Sequence, residues 1–183
     1  FYIRKLKKNM IIILSPAKTM RIPRTDAEMR SIPVFAEESA AIGAEVKSLS
    51  FSAFSSLLKV SGSLARKAYD TMHHWHWPHN PQSAAAAALI YDGPAFKGLN
   101  AQDFSAADQK FAQSHLRILS GLYGVLRPYD GIMPYRLEAQ TPLSVGSYKN
   151  LHAFWNSLPA KNIEADLKKM KSNLLINLTS EEY

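Results

Sequence analysis

Along the chain, short runs of apolar residues alternate with segments in which apolar residues recur at helical spacing. The longest apolar run, Met10–Leu14, predicts a buried β-strand, and Leu174–Leu178 predicts another. Ala88–Tyr91 precedes the turn-forming residues Asp92, Gly93 and Pro94, and it too predicts a strand. Apolar residues spaced three and four apart predict helices over 35–49, 50–60, 64–74, 105–122, 151–158 and 163–170.

The helix predicted over 105–122 has the clearest start signal. Ser105 is a favourable N-cap, and Asp108 follows it three residues later, where a capping box usually has Glu. Phe111, Ile118 and Leu122 then lie on one face. The pattern predicts a single amphipathic helix through Leu122.

Glycine and proline interrupt the sequence after that helix, and aromatic and charged residues lie between them. Connecting loops are usually built from small polar residues, whereas this block supplies planar donors and a backbone that allows close approach. It favours either an anionic or planar ligand, or a tied-down structural turn. The block runs to Glu138 and contains Gly121, Tyr123, Gly124, Arg127, Pro128, Tyr129, Asp130, Gly131, Pro134, Tyr135 and Arg136.

Composition narrows the class of protein. The chain has 183 residues, of which 46% are hydrophobic, and this is enough for one substantial core. No apolar run approaches the roughly 20 residues that a membrane span requires. Cysteine is absent, which excludes disulfides and thiolate metal sites. We therefore expect a cytoplasmic protein that does not enter a membrane.

The formal net charge of +7 is concentrated at the start of the chain. Arg4, Lys5, Lys7 and Lys8 supply four of these charges, and subtracting them leaves +3 for the remainder. We interpret residues 1–9 as a basic extension that precedes a natural start at Met10. The mild basic excess raises the expectation of a polyanionic partner only slightly.

The segment 57–68 predicts two helices joined by a tight turn. Such a turn can direct the free N–H groups of the second helix towards a phosphate. The alternative is an ordinary helical hairpin packed on the core. The candidate DNA-binding residues here are Lys59, Ser61, Gly62, Ser63, Arg66 and Lys67.

Ser15 to Thr19 directly follow the first predicted strand. Residues at the carboxyl end of a strand often face a ligand crevice, where Lys18 could bind a phosphate or act as a nucleophile. The alternative is a strand cap with a solvated lysine. A separate cluster of His73, His74, His76 and His79 suggests a metal, but its irregular spacing around Pro78 favours a helix end with packed aromatic residues.

The order of these motifs resembles the YaaA peroxide-stress protein family over residues 10–183. The resemblance is carried by Ser15–Thr19 after the first strand, Leu116–Pro128, Pro134–Glu138 and Asn177–Tyr183. Family chains continue past the last of these motifs. Residues 179–183 also begin like a helix without continuing as one. We therefore expect a single domain over 10–183 that is incomplete at its C-terminus.

The resemblance implies an unusual α+β fold, in which a mixed sheet is surrounded by helices and a helix-hairpin-helix element is present. It also implies a bacterial cytoplasmic protein that protects against peroxide, lowers free iron and binds duplex DNA through backbone contacts. The hairpin carries over to Lys59–Lys67, but the glycines of the motif are replaced here by Lys59 and Ser61. We expect no metal and no other cofactor.

Three hypotheses follow for the site. The first is DNA binding through the hairpin, beside a basic cleft. The second is an enzyme, for example a lyase acting on nucleic acid or on a small phosphorylated substrate, and the third is direct iron binding. The cleft candidates are Ser15, Lys18, Tyr123, Arg127, Arg136 and Glu138, and the catalytic candidates are Lys18, Asp130 and Glu181.

Overall fold

The computed structural model describes residues 9–21, 29–80 and 82–181. Its centre is a four-stranded mixed sheet in the order β4-β3-β1-β6, and a two-stranded ribbon pairs β2 with β5. Within these ranges no helix is long and apolar enough to cross a membrane. The strands are β1 Ile11–Leu14, β2 Ala85–Ala86, β3 Leu116–Ser120, β4 Gly124–Leu126, β5 Gly131–Ile132 and β6 Leu175–Leu178.

Eight α-helices in the described part of the chain surround the sheet. Three of them, near the N-terminal end, correspond to the helices predicted from periodicity over residues 35–74. Ser50 caps the second by accepting a hydrogen bond from the N–H of Ala53 (3.2 Å). The helices are α1 Ala36–Ser48, α2 Phe51–Leu58, α3 Gly62–His74, α4 Ala87–Ile90, α5 Pro94–Leu99, α6 Ala106–His115, α7 Leu151–Trp155 and α8 Leu158–Lys169.

Strand β1 lies between two parallel neighbours. It pairs with β3, where Ile12 faces Leu116, and with β6, where Ile13 faces Asn177. Strand β4 is antiparallel to β3, which makes the sheet mixed. The α+β class expected from the resemblance is therefore confirmed.

The prediction of one helix over 105–122 is wrong in its second half. The capping box of Ser105 and Asp108 is present, but α6 ends at His115 and the chain continues as strand β3. Leu116 and Ile118 are buried between parallel and antiparallel partners. Short apolar runs fit both helical and extended periodicity, and pairing with β1 decides for the strand.

One further prediction needs correction. Ala88–Tyr91 was predicted as a strand, but Ala87–Ile90 form the short helix α4, and the strand β2 precedes it. Most of the block 121–138 is buried, and it contains β4 and β5, as a tied-down structural segment would. Pro23 and Pro33, with alternating charges between them, predict an extended loop over 21–33, and most of that segment lies outside the described residues.

One edge of the sheet is apolar and exposed. Strand β6 pairs only with β1 among the described strands. Leu175 is 43% exposed and Leu178 is 60% exposed. By contrast, Ile11 and Ile13 of β1 are buried in the main core.

Candidate functional site

Ser15 and Ser180 meet at the carboxyl end of the parallel strands. Because β1 and β6 run in the same direction, the residues that follow them emerge side by side. The backbone N–H of Ser180 donates to Ser15 Oγ (2.8 Å), and the two hydroxyl oxygens are 3.1 Å apart. In sheet-based folds this position is a common place for a ligand crevice.

Three charged residues complete a small cleft beside these serines. The Lys18 Nζ atom lies 3.2 Å from Glu138 Oε2, and Arg136 Nη2 donates to Glu138 Oε1 at 2.9 Å. Arg136 Nη1 also donates to the carbonyl oxygen of Lys18 (3.2 Å). The cleft has a volume of about 140 Å³, and we call it the strand-end cleft; its lining residues are Ser15, Pro16, Ala17, Lys18, Tyr135, Arg136, Leu137, Glu138 and Ser180.

The strand-end cleft has a net positive charge of one from its side chains. Two cations share the single carboxylate of Glu138, so an incoming anion would compete with that carboxylate for both partners. The side chain of Lys18 is 59% exposed and can swing out at low cost, whereas that of Arg136 is only 21% exposed. The cleft is therefore suited to a small anionic group such as a phosphate.

Gly121 explains why the block 121–138 forms a wall of this cleft. A Cβ atom at Gly121 would lie 2.7 Å from the carbonyl carbon of Glu138 and 2.7 Å from the carbonyl oxygen of Leu137. Only glycine allows the backbone at Glu138 to lie directly on the turn that follows β3. The block thus carries Arg136 and Glu138 to the end of the sheet.

Arg127 and Asp130 do not line the strand-end cleft. Asp130 accepts hydrogen bonds from Ser31 Oγ (2.6 Å), the Arg127 N–H (2.8 Å) and Arg127 Nε (3.1 Å). Burial raises the pKa of this carboxyl above its ordinary value, although the bonds from Ser31 and Arg127 oppose the shift. Arg127 also reaches the carbonyl oxygen of Ile32 (3.3 Å), so the pair fastens the block to the segment around residue 31.

Tyr123 is fully buried and also lies outside the cleft lining. Its hydroxyl accepts hydrogen bonds from Trp75 Nε1 (2.7 Å) and from the N–H of Met133 (3.2 Å). It is also 3.1 Å from His79 Nε2. Glu181 is exposed and does not line the cleft.

The turn between α2 and α3 is exposed and partly left-handed. Lys59 has a φ of 53° and Gly62 a φ of 60°, and a Cβ at Gly62 would meet nothing within 4 Å. Ser61 is the N-cap of α3, yet its side chain makes no capping hydrogen bond. The first N–H groups of α3 therefore have no cap from the Ser61 side chain, and the residues that carry them are exposed.

Charged side chains surround this turn. Lys59 and Lys67 are exposed, as are Ser61 and Ser63. Arg66 lies over the ring of Phe51, with its guanidinium carbon 4.1 Å from the ring centre, and it also lies 3.9 Å from a carboxylate oxygen of Asp70. Stacking on Phe51 holds the Arg66 guanidinium against α2, while the side chain of Arg66 remains exposed to solvent.

The histidines at the end of α3 bind backbone carbonyls. The Nδ1 atoms of His73 and His74 lie 3.0 and 2.7 Å from the carbonyl oxygens of Tyr69 and Asp70. His79 makes the same kind of bond to His76. Within the residues that the structure describes, no group of three or more potential metal ligands is assembled.

Sequence reasoning missed two residues of the strand-end cleft that have polar side chains. Ser180 lies 165 positions from its hydrogen-bond partner Ser15, and Tyr135 forms part of the wall although its hydroxyl is buried. Both lie in motifs that were singled out, at 177–183 and 134–138. These motifs could have been assigned to one cleft only from the proximity of the strand ends, and that proximity is known only once the order of the strands is known.

Comparison with known proteins relates this geometry to a family. A family model described as "Peroxide stress protein YaaA" matches residues 10–183. Curated relatives described as "UPF0246 protein" include those of Teredinibacter turnerae (38% identical over 175 residues), Clostridium beijerinckii (35% over 175) and Tolumonas auensis (39% over 176). Each match covers 95% of this chain but only 66–68% of the relative, so the chain spans about two thirds of their length.

Proposed function

Because the chain belongs to the peroxide stress protein YaaA family, we propose that it binds the backbone of duplex DNA without reading its sequence and thereby protects DNA against oxidative damage. The exposed turn between α2 and α3 is the observation that carries this proposal. Low intracellular free iron fits the same role, since ferrous iron converts peroxide into radicals that attack DNA. For this role the protein would be in the cytoplasm, the compartment of a bacterial cell that contains both the DNA and the free iron.

The turn offers three kinds of phosphate donor. The N-terminal N–H groups of α3 carry the positive end of the helix dipole. Ser61 and Ser63 add hydroxyl donors, and both are exposed. Lys59 and Lys67 add charge at a surface that a phosphate can approach, because no atom of the described residues lies within 4 Å of the Cβ position at Gly62. Contacts of this kind position a protein on DNA but carry no sequence information.

Fluorescence anisotropy with duplexes of unrelated sequence tests the proposal. We expect similar affinity for each duplex and a steep loss of affinity with salt, with a slope near −0.9 per phosphate contact in a plot of log K against log salt. Reversing Lys59, Arg66 and Lys67 to Glu should abolish binding at moderate salt.

The matched control reverses three other exposed lysines, Lys110, Lys161 and Lys168, to Glu. It changes the net charge by the same amount on α6 and α8. We expect it to weaken binding far less than the hairpin reversal. Equal loss in both variants would mean that net charge alone attracts DNA, and no binding of the unaltered chain at low salt would overturn the proposal.

The strand-end cleft favours a second candidate function, a lyase acting on nucleic acid or on a small phosphorylated substrate. Lys18, Arg136 and Glu138 converge there, which places an amine beside a proton acceptor and an anion-binding guanidinium. An amine of this kind can form a Schiff base with an aldehyde such as that of an abasic site.

Borohydride trapping on an abasic duplex tests this candidate. The unaltered chain should become covalently linked to the oligonucleotide, and Lys18→Ala should remove the link. Lys97→Ala is the control, because Lys97 is also exposed and also lies near one carboxylate, that of Asp92 (3.8 Å). Absence of trapping in the unaltered chain would exclude a Schiff-base lyase acting on abasic DNA, but not a lyase acting on a small phosphorylated substrate.

A further inference from the structure

A chain of aromatic side chains crosses the core from the strand-end cleft to the histidine cluster. Tyr135 forms part of the cleft wall, and its ring centre is 5.5 Å from that of Tyr123. The ring of Tyr123 is in turn 6.2 Å from Trp75 and 5.9 Å from His79. Neighbouring rings in this chain of side chains are therefore close to or in contact with one another. Electrons transfer readily between side chains at such distances.

The hydrogen bonds around the Tyr123 hydroxyl determine which atom accepts its hydrogen. Its hydroxyl oxygen accepts from Trp75 Nε1 and from the Met133 N–H, which occupies its lone pairs. The hydroxyl hydrogen is left to donate to His79 Nε2. The carbonyl oxygen of His76 can only accept, so it binds a hydrogen on His79 Nδ1 and leaves Nε2 unprotonated.

His79 is therefore a neutral base aimed at a buried phenol. Burial lowers its pKa to about 4, and the nearby His76 adds to this effect, while the backbone bond to His76 opposes it. Burial raises the pKa of Tyr123, so the phenol keeps its proton at rest. The proton can leave only when the ring loses an electron, because an oxidised phenol is a strong acid.

We propose that Tyr123 and His79 form a proton-coupled redox pair that traps an oxidising equivalent arriving from the strand-end cleft. The oxidant belongs to the class of one-electron oxidants that peroxide and ferrous iron produce, namely hydroxyl radical and ferryl species. An electron passes from Tyr123 through Tyr135 to this oxidant, which is reduced by one electron. The O–H bond of Tyr123 breaks, an N–H bond forms at His79 Nε2, and the products are a neutral tyrosyl radical and an imidazolium.

The pair returns to its starting state with one electron from a reductant of the thiol or ascorbate class. The proton then moves back from His79 Nε2 to the Tyr123 oxygen, so atoms and charge balance over the cycle. Trp77 offers a route for this electron, since its ring centre is 4.9 Å from that of His79 and it is only half-buried. The proposal does not depend on DNA binding, because none of these residues lies in the hairpin.

Flash photolysis with a ruthenium polypyridyl oxidant, followed by electron paramagnetic resonance, tests the pair in the full chain. We expect a tyrosyl signal that Tyr123→Phe removes. His79→Gln should lower its yield, because an amide oxygen accepts a hydrogen bond but not a proton. Tyr148→Phe is the control, since Tyr148 is 47% exposed and packs on Phe154, outside the aromatic chain.

A second measurement keeps the test decisive if Tyr123→Phe fails to fold. Site-specific incorporation of 3-fluorotyrosine at position 123 should split the signal by coupling to fluorine. The yield should also fall as the pH is lowered through about 4, where His79 becomes protonated. An unsplit signal, a signal that survives in Tyr123→Phe, or the absence of any tyrosyl signal would overturn the proposal.

Discussion

Lys59 occupies a backbone conformation that side chains other than glycine rarely adopt. Its φ of 53° closes the end of α2, and its N–H bonds back to the carbonyl oxygens of Ser55 and Ser56. A left-handed conformation costs a lysine about 1–2 kcal/mol, whereas glycine adopts it freely. The chain therefore keeps a cation at the tip of the hairpin at the expense of stability.

Lys59→Gly should raise the free energy of unfolding by about 1 kcal/mol and yet weaken DNA binding. Lys67→Gly removes the same charge from the interior of α3, where glycine costs about 1 kcal/mol. Urea unfolding and duplex titration of both variants check the pair. If the free energy of unfolding changed in the same direction in both variants, the left-handed conformation of Lys59 or the helical conformation of Lys67 would be wrong.

His79 should make stability depend on pH. Its pKa falls from an ordinary 6.5 to about 4 in the folded state, so the unfolded chain binds more protons between these values. The stabilisation is present above about 6.5 and is lost as the pH falls towards 4; we expect a loss of about 2 kcal/mol, reduced from the full shift by partial exposure. Urea unfolding at several pH values should show a flatter profile for His79→Gln, and identical profiles would count against this assignment.

At the scale of elements, local signals predicted where helices begin better than where they end. The capping box of Ser105 and Asp108 is encoded within four residues, and it is present. The end of α6 at His115 is not encoded locally. The residues from Leu116 onward form strand β3 because they pair with β1, which is distant in sequence. The pair of helices α2 and α3 was predictable for the same reason as the cap, since the two helices and the turn between them are neighbours in sequence.

A buried ion pair joins strand β3 to helix α8. The Arg117 side chain is only 6% exposed and donates to Asp166 Oδ2 through Nε (3.0 Å) and Nη2 (2.7 Å). Asp166→Ala leaves the guanidinium buried without its carboxylate, and such losses cost about 3–5 kcal/mol. Thermal or urea unfolding checks this, with Asp70→Ala as the exposed control, expected to change stability by about 0.5 kcal/mol or less.

At the scale of the whole molecule, the strand-end cleft assembles parts of the chain that are far apart in sequence. Residues near 15, 136 and 180 meet only because β1 and β6 are parallel neighbours and Gly121 admits the backbone of Glu138. The sequence motifs identified Lys18 and Arg136 as candidates, but their meeting depends on strand order. Tyr123 was a cleft candidate by composition, and its burial follows from packing that no local pattern encodes.

The exposed edge of β6 bears on how the protein behaves at high concentration. Among the described residues no strand pairs with the outer edge of β6, and Leu175 and Leu178 are exposed there; such an edge is a template onto which another chain can add as a strand. We expect light scattering of this chain to rise with concentration, and Leu178→Lys to suppress that rise without lowering the melting temperature. Scattering unchanged by that substitution would place the self-association elsewhere. If the substitution does suppress the rise, a single strand of the sheet governs colloidal stability, and with it the conditions for storing and assaying the protein.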